Sequence, residues 1–373
     1  MQKKAILIMT VLITGCVKSP KDTEILWKEP IKLPGVGVQA NLGVAGPIVG
    51  IINGQLLIAA GANFPNGYPW EGGKKVYQKT AYLYSVAGDQ LQLISEFPWV
   101  EEIAYCANFS DGEYLYSAGG EDQKGATNQV FKFSLHAQNK LHCDTLPQLP
   151  IPLTNAALVA IDAHLYIIGG ENAAAVSDKI YILNTEDETW KTYIDLPYPI
   201  SNAVVVSNKK DKIYIAGGRK RNLNAKSDLY DELLEVDIPS GIITSIAKLP
   251  NALAAGTGVY FDDQVILFGG DDAGTFHQVE DALAKINSTS DPVEKDSLIA
   301  AKNQLQVNHP GFRQEVIAYD LKGKQWKELG KIVGLSPVTT TAVLKDNLVV
   351  IPSGEIRAGV RTDQILIGQV KMK

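Results

Sequence analysis

Six times along this chain an apolar run ends in a pair of glycines or a close stand-in. The instances are Leu57-Ile58-Ala59-Ala60-Gly61, Tyr116-Ser117-Ala118-Gly119-Gly120, Tyr166-Ile167-Ile168-Gly169-Gly170, Tyr214-Ile215-Ala216-Gly217-Gly218, Ile266-Leu267-Phe268-Gly269-Gly270 and Val349-Val350-Ile351-Pro352-Ser353-Gly354. From Gly120 to Gly170, Gly218 and Gly270 the steps are 50, 48 and 52 residues. A fixed period of this length marks a repeat architecture, in which each unit buries its apolar face only against its neighbours. The interior of each unit is consistent. After the glycine pair comes a loop, then a short strand such as Ile180-Tyr181-Ile182-Leu183 or Val316-Ile317-Ala318-Tyr319, and a further strand carries Trp190 or Trp326. A proline-bearing link follows: Phe97-Pro98, Leu149-Pro150, Leu196-Pro197, Leu249-Pro250 or Ser336-Pro337. Short β-rich runs punctuated by Gly and Pro indicate an all-β fold.

Four strands per unit, repeated six times, close into a β-propeller and leave only short edges. The series resembles the kelch superfamily over nearly all of residues 16–373, with blades one, four and five read as lacking the tryptophan. The sixth repeat is followed by a single strand, Gln364 to Val370. The stretch Glu24-Ile25-Leu26-Trp27, followed by Leu33-Pro34, therefore reads as that blade's missing outer strand, so that both chain ends build one blade. Gly270 to Gly354 spans 84 residues, which is longer than a period. Residues 275–308 of that stretch carry helical signals. Thr275 and Gln278 read as a capping box, with Val279, Leu283 and Ile286 on one face. Asp291-Pro292 with Glu294 reads as a second helix start, followed by Leu298 and Leu305. Such an insertion is either a lid over the central funnel or a decoration.

The first sixteen residues read as a targeting segment. Lys3 and Lys4 precede an apolar run, Ala5 to Ile13, too short to span a bilayer. Ile13-Thr14-Gly15-Cys16 resembles a bacterial lipobox. The expectation is a signal peptide over residues 1–15, removed before a lipidated Cys16, and an exported, periplasmic protein tethered to a membrane. An ordinary signal peptide is the alternative. Cys106 and Cys143 fall on the first and fourth strands of one blade, which are not neighbours, so free thiols are expected. A formal net charge of −6 argues against nucleic acid as a partner.

In an antiparallel blade with strands a to d, the b–c loops and the d–a links emerge on one face. That face collects Gly61-Ala62-Asn63-Phe64-Pro65, Glu121-Asp122, Glu171-Asn172, Arg219-Lys220-Arg221, Asp271-Asp272 and Glu355 through Arg361, together with Asn155, Asn202 and Thr257. Binding residues concentrate on such loops, although each could be no more than a solvated loop tip. Arg219, Arg221, Arg313, Arg357 and Arg361 could present several guanidinium groups to one funnel. Arginine forks suit a carboxylate, which points to a small acidic ligand.

Three segments are more specific. Gly61-Ala62-Asn63-Phe64-Pro65 with Pro69-Trp70-Glu71-Gly72-Gly73-Lys74, then His309-Pro310-Gly311-Phe312, and then Gly354-Glu355 with Gly359-Val360-Arg361-Thr362-Asp363 resemble the bacterial N-acetylneuraminate epimerases, or sialic acid mutarotases. In the better-known epimerases the glutamate–arginine segment lies mid-chain. Its C-terminal place here resembles the cyclically permuted subgroup, and a closed ring tolerates permutation. The resemblance implies interconversion of the α and β anomers of free sialic acid without metal or cofactor. It implies Glu355 as general acid–base and Arg361 as the group that holds the sugar carboxylate, with Asn63, Arg219 and Arg221 as further site members. His309 reads as a turn residue, and the scattered histidines lack zinc-type spacing. A non-catalytic propeller that binds acidic glycans or a protein partner remains open, because fold does not fix function. A sialidase is disfavoured because the Ser-x-Asp-x-Gly-x-Thr-Trp boxes are missing. A kelch-type copper oxidase is disfavoured because its ligand set is missing.

Overall fold

The computed structural model describes residues 23–372 apart from Val36 and Val38. The expected leader and Cys16 lie outside these residues. Six antiparallel sheets stand around an axis. The first blade is Ile48–Ile52, Gln55–Ala59, Thr80–Ala87 and Gln90–Pro98, paired in that order. Blades two to five repeat the pattern from Ala107, Ala157, Val204 and Thr257. The sixth is Val343–Lys345, Leu348–Pro352 and Gln364–Met372, completed by Thr23–Trp27 from the other end of the chain. That closing strand pairs from Thr23↔Met372 to Trp27↔Gly368, and the two-residue strand Ile31–Lys32 joins the same edge.

Burial explains the strand patterns. The second strands are covered on both faces and read as unbroken apolar runs such as Leu56–Ala59, whereas outer strands such as Thr189–Asp195 are largely exposed. The core lies between blades. Ile48 and Leu83 meet Leu115 and Phe133 across the first junction, and Val350 and Ile367 meet Val49 and Leu56 across the closing one. Each such side chain contributes about 1.5–3 kcal/mol on burial. The outer-strand tryptophans bridge junctions too. Trp190 Nε1 donates to Pro147 O at 2.8 Å, and Trp326 Nε1 donates to Lys248 O at 2.7 Å. The structure corrects the tryptophan bookkeeping: Trp326 lies on the outer strand of the fifth blade, Gln325–Lys331, and the second blade's, Leu141–Leu146, has none.

The glycine pairs turn the chain sharply out of each second strand. Both members have positive φ, for example 63° and 94° at Gly119 and Gly120, and 54° and 109° at Ser353 and Gly354. The first position tolerates Ala60 and Ser353, but the second is glycine in every blade. A Cβ at Gly354 would stand 2.7 Å from Val338 O, and one at Gly120 would stand 2.8 Å from Ala104 O. Ser353 also has a use of its own. Its hydroxyl accepts from Val44 N at 2.8 Å and has two carbonyls to which its one proton can be given, Thr362 O at 2.7 Å and Val44 O at 2.9 Å, tying the sixth blade to the first.

Each link between blades carries one left-handed residue: Gly46, Tyr105, Asn155, Asn202, Ala255 and Thr339. Their backbones form a closed circuit. Tyr105 N donates to Gly46 O (2.9 Å), Asn155 N to Tyr105 O (3.2 Å), Asn202 N to Asn155 O (3.0 Å), Ala255 N to Asn202 O (2.8 Å), Thr339 N to Ala255 O (2.9 Å) and Gly46 N to Thr339 O (2.7 Å). This waist satisfies six amide donors and ties all six links to one another. The residue before each waist residue bridges to the first residue after a glycine pair: Ala45 to Ala62, Ala104 to Glu121, Thr154 to Glu171, Ser201 to Arg219, Ala254 to Asp271 and Val338 to Glu355. Sixfold repetition thus sets Ala, Glu, Glu, Arg, Asp and Glu around one mouth.

The fifth blade's loop holds two helices, α1 (Gly274–Ser288) and α2 (Pro292–Val307). Helix α2 starts with Asp291 accepting from Val293 N and Glu294 N and with Pro292 in its first turn. The capping box expected at Thr275 and Gln278 does not form. Asp271 Oδ1 accepts from Ala273 N at 2.8 Å and Asp272 Oδ1 from Gly274 N at 3.1 Å, so the helix begins sooner, after Ala273 with φ 61°. No helix among the described residues is long and apolar enough to cross a membrane. Cys106 and Cys143 are unpaired, and burial pushes the Cys106 thiol up to about 12.

Candidate functional site

Glu355 and Arg361 face each other across a two-strand ribbon, Glu355–Arg357 with Val360–Arg361, turned at Gly359. Gly359 N donates to Glu355 Oε1 at 2.7 Å, and Arg361 Nη1 lies 3.3 Å from the same oxygen. The Arg361 guanidinium reaches over two neighbouring blades. Nε donates to Ala62 O and Nη2 to Tyr105 Oη, each at 3.4 Å, and the Phe64 ring lies 4.8 Å away. Only 5% of the Arg361 side chain is exposed, against 19% of Glu355. The arginine is a buried brace, and the carboxylate is the part open to a ligand.

Tyr105 is the residue that repeat counting missed. Its φ of 57° is unusual for a bulky side chain, and the equivalent positions hold Gly, Asn, Asn, Ala and Thr. Aligning the links on Asn155 and Asn202 would have exposed it. Arginine can only donate, so the Tyr105 oxygen accepts from Arg361. Among the described residues no acceptor receives its own O–H. Burial pushes this phenol up to about 12; Arg361 opposes the rise, and Glu355 and Glu121 add to it. It therefore carries its proton at neutral pH. Beside it, Glu121 accepts from Tyr77 Oη at 2.9 Å and from Lys75 Nζ.

Across the mouth, Glu171 is buried beneath four donors. Its Oε1 accepts from Arg219 Nη2 at 2.8 Å, Asn155 Nδ2 at 3.1 Å and Asn202 Nδ2 at 3.4 Å, and Arg221 Nε lies 3.5 Å from Oε2. Arg221 also donates to Asn172 O at 2.8 Å. Arg313 pairs with Asp272 and Glu315. In the fifth blade Asp271 is partly buried. Loss of water pushes its carboxyl up to about 6, with Asp272 and Glu355 adding to the rise and the Ala273 N–H and His277 opposing it. His309 Nδ1 accepts from Gly311 N at 3.0 Å, a turn contact, and burial pulls its pKa down.

The structure does not bring Asn63 to this cluster. Its amide donates to Gly43 O at 2.9 Å and accepts from Gln78 at 2.8 Å, and it lines a separate cleft with Asn41 and Tyr82. A cavity of about 260 Å³ lies between the inner strands and includes Ser110, Val159, Ser207 and Tyr260. Its lining includes the six waist residues, Tyr105 among them, but neither Glu355 nor Arg361. No group of three or more His, Cys, Asp or Glu among the described residues is placed to hold a metal ion.

The two helices span the mouth. In α1, Glu280 accepts from Ser227 N at 2.9 Å and Ser227 Oγ at 2.6 Å. In α2, Asn303 donates to Trp70 O at 3.2 Å. Ser227 belongs to the fourth blade and Trp70 to the first, on opposite sides of the ring.

The family model described as N-acetylneuraminate epimerase matches residues 146–373, more than half of the chain. The chain belongs to this family. An N-acetylneuraminate epimerase of Haemophilus influenzae (strain 86-028NP) is 24% identical over 248 residues, 65% of this chain and 63% of the relative. One from Salmonella typhi is 25% identical over 226 residues, 60% of this chain and 58% of the relative. The chain thus spans under two thirds of the length of these curated relatives. A solved structure titled "Structure of YjhT" superposes with a TM-score of 0.60 at 15% identity, covering 91% of this chain and 99% of the other, and shares the fold.

Proposed function

We propose that this protein interconverts the α and β anomers of free N-acetylneuraminate. The observation that carries the reading is the Glu355–Arg361–Tyr105 unit at the mouth of a propeller of this family: an accessible carboxylate and a protonated phenol braced by one buried guanidinium. Anomer exchange needs a base and an acid on the two oxygens of one hemiketal. Glu355 takes the proton of the anomeric hydroxyl while the bond from the anomeric carbon to the ring oxygen breaks. Tyr105 gives its proton to that oxygen, and a keto form results. After rotation about the adjacent carbon–carbon bond the hydroxyl attacks the other carbonyl face. Its proton returns to Tyr105, and Glu355 returns its own to the new anomeric oxygen. Arg361 holds both groups in place and stabilises the transient phenolate.

The test is proton NMR of freshly dissolved β-anomer. Purified protein should speed its relaxation towards the equilibrium mixture well beyond the buffer rate. Binding without faster relaxation would instead favour the non-catalytic glycan-binding propeller.

The C-terminal place of the Glu355–Arg361 segment fits the permuted subgroup. Export and lipid tethering through Cys16 form the second part of the proposal, resting on Lys3, Lys4 and the apolar run before Cys16. Mass spectrometry of the N-terminal peptide from membranes should find a diacylated Cys16, and an intact leader would overturn it.

A further inference from the structure

The chain contains only five arginines among its 35 basic residues, and all five lie on the loops of the site face: Arg219, Arg221, Arg313, Arg357 and Arg361. The lysines are spread over the whole surface. A chain that reserves guanidinium for one face uses it there for geometry, since lysine supplies the same charge.

Four of the five are committed within the protein. Arg219 and Arg221 are held by Glu171, Arg313 by Asp272 and Glu315, and Arg361 by Glu355. Arg357 is different. Among the described residues its side chain makes no hydrogen bond or ion pair, and its Nε is buried without a partner. It stands on the Glu355 ribbon, opposite Val360, and the buried ring of His309 feels the charges of both Glu355 and Arg357. A partly buried cation without a counter-charge costs stability unless something pairs with it.

We infer that Arg357 takes the carboxylate of the acidic ligand, while Arg361 serves to orient Glu355 and Tyr105. This refines the reading from sequence, which gave Arg361 the carboxylate, and it rests on the proposal that the site accepts a sugar acid. Arg361 is too enclosed to offer a fork to a ligand: its Nε and Nη2 are spent on Ala62 O and Tyr105 Oη, and its Nη1, without a hydrogen bond, faces the Glu355 carboxylate. Arg357 has its donors in hand, two residues from the proposed base, as required when the acid group is attached to the reacting carbon. A neutral sugar would leave Arg357 unpaired, so this one residue also sets the preference for acids.

Calorimetric titration of the full chain and of Arg357→Gln and Arg357→Lys tests the inference, using N-acetylneuraminate, glucuronate and the neutral N-acetylmannosamine. Arg357→Gln should weaken binding of the acid by about 10–100-fold, with Arg357→Lys between it and wild type. Weak binding of the neutral sugar should not change. Because the substitution removes an unpaired charge, Arg357→Gln should melt no lower than wild type. Wild-type affinity for the acid in Arg357→Gln would overturn the inference, as would equal losses for acid and neutral sugar. If wild type binds glucuronate but not N-acetylneuraminate, the proposed substrate falls and Arg357 is judged on glucuronate. If wild type binds neither acid, both proposals fall.

Discussion

The ring of Phe276 in helix α1 lies 5.3 Å from the guanidinium of Arg219, which is itself bonded to the buried Glu171. The helical insertion is therefore fastened to the charged floor of the mouth as well as to its rim. A cation–π contact of this kind is worth about 0.5–2 kcal/mol. Phe276→Ala should let α1 open some 2- to 30-fold more often, read as faster hydrogen exchange of its amides with the blades unchanged. Unaltered exchange in α1 would show that the rim contacts at Ser227 hold the helix alone.

Glu355→Gln keeps an acceptor for the Gly359 amide but cannot take a proton. Anomer exchange should fall by about 10²–10⁴-fold while the melting temperature moves little. NMR relaxation of the β-anomer and a thermal melt decide this together, and near-normal exchange in a folded variant would remove Glu355 from the mechanism.

Tyr105→Phe keeps the ring at its unusual φ and removes only the hydroxyl. We expect a loss of exchange of about 10²-fold, with a loss of stability of about 1–3 kcal/mol because the buried Arg361 Nη2 loses its acceptor. If Tyr105 merely filled the waist, Phe would serve equally well and the rate would stay.

Asp271 gives a pH signature. Its carboxyl is raised from 3.8 to about 6 in the folded state, chiefly by burial. The folded protein then holds the proton more tightly than the unfolded chain. That contribution to stability is complete below about pH 3.8 and is lost as pH rises through about 6. In chemical denaturation, wild type should lose about 1–3 kcal/mol relative to Asp271→Asn between pH 4 and pH 7. Parallel pH curves for the two proteins would refute this.

Much of the fold was legible because the glycine pairs report a backbone need: positive φ at both positions and no room for a Cβ at the second. The closing strand was legible for a similar reason, since a blade with three strands demands a fourth. The start of α2 announced itself through Asp291-Pro292. The start of α1 did not, because Asp271 and Asp272, read as loop residues, bond the first amides. The site was legible as a face and as the Glu355–Arg361 pair, whose partners lie close in sequence. Its remaining contacts were not. Arg361 meets Ala62 and Tyr105 across separations of 299 and 256 residues, which only ring closure brings together. Asn63 sits in a conspicuous motif, yet its amide is spent on Gly43 and Gln78. Which arginine lacks a carboxylate is a matter of pairing, and pairing is absent from one-dimensional order.

The waist of six backbone hydrogen bonds joins links from six different blades into one loop. Each of its residues holds two of those bonds, so no blade can shift its inner end alone. The places of Glu121, Glu171, Arg219, Asp271 and Glu355 around the mouth are therefore set jointly rather than one at a time.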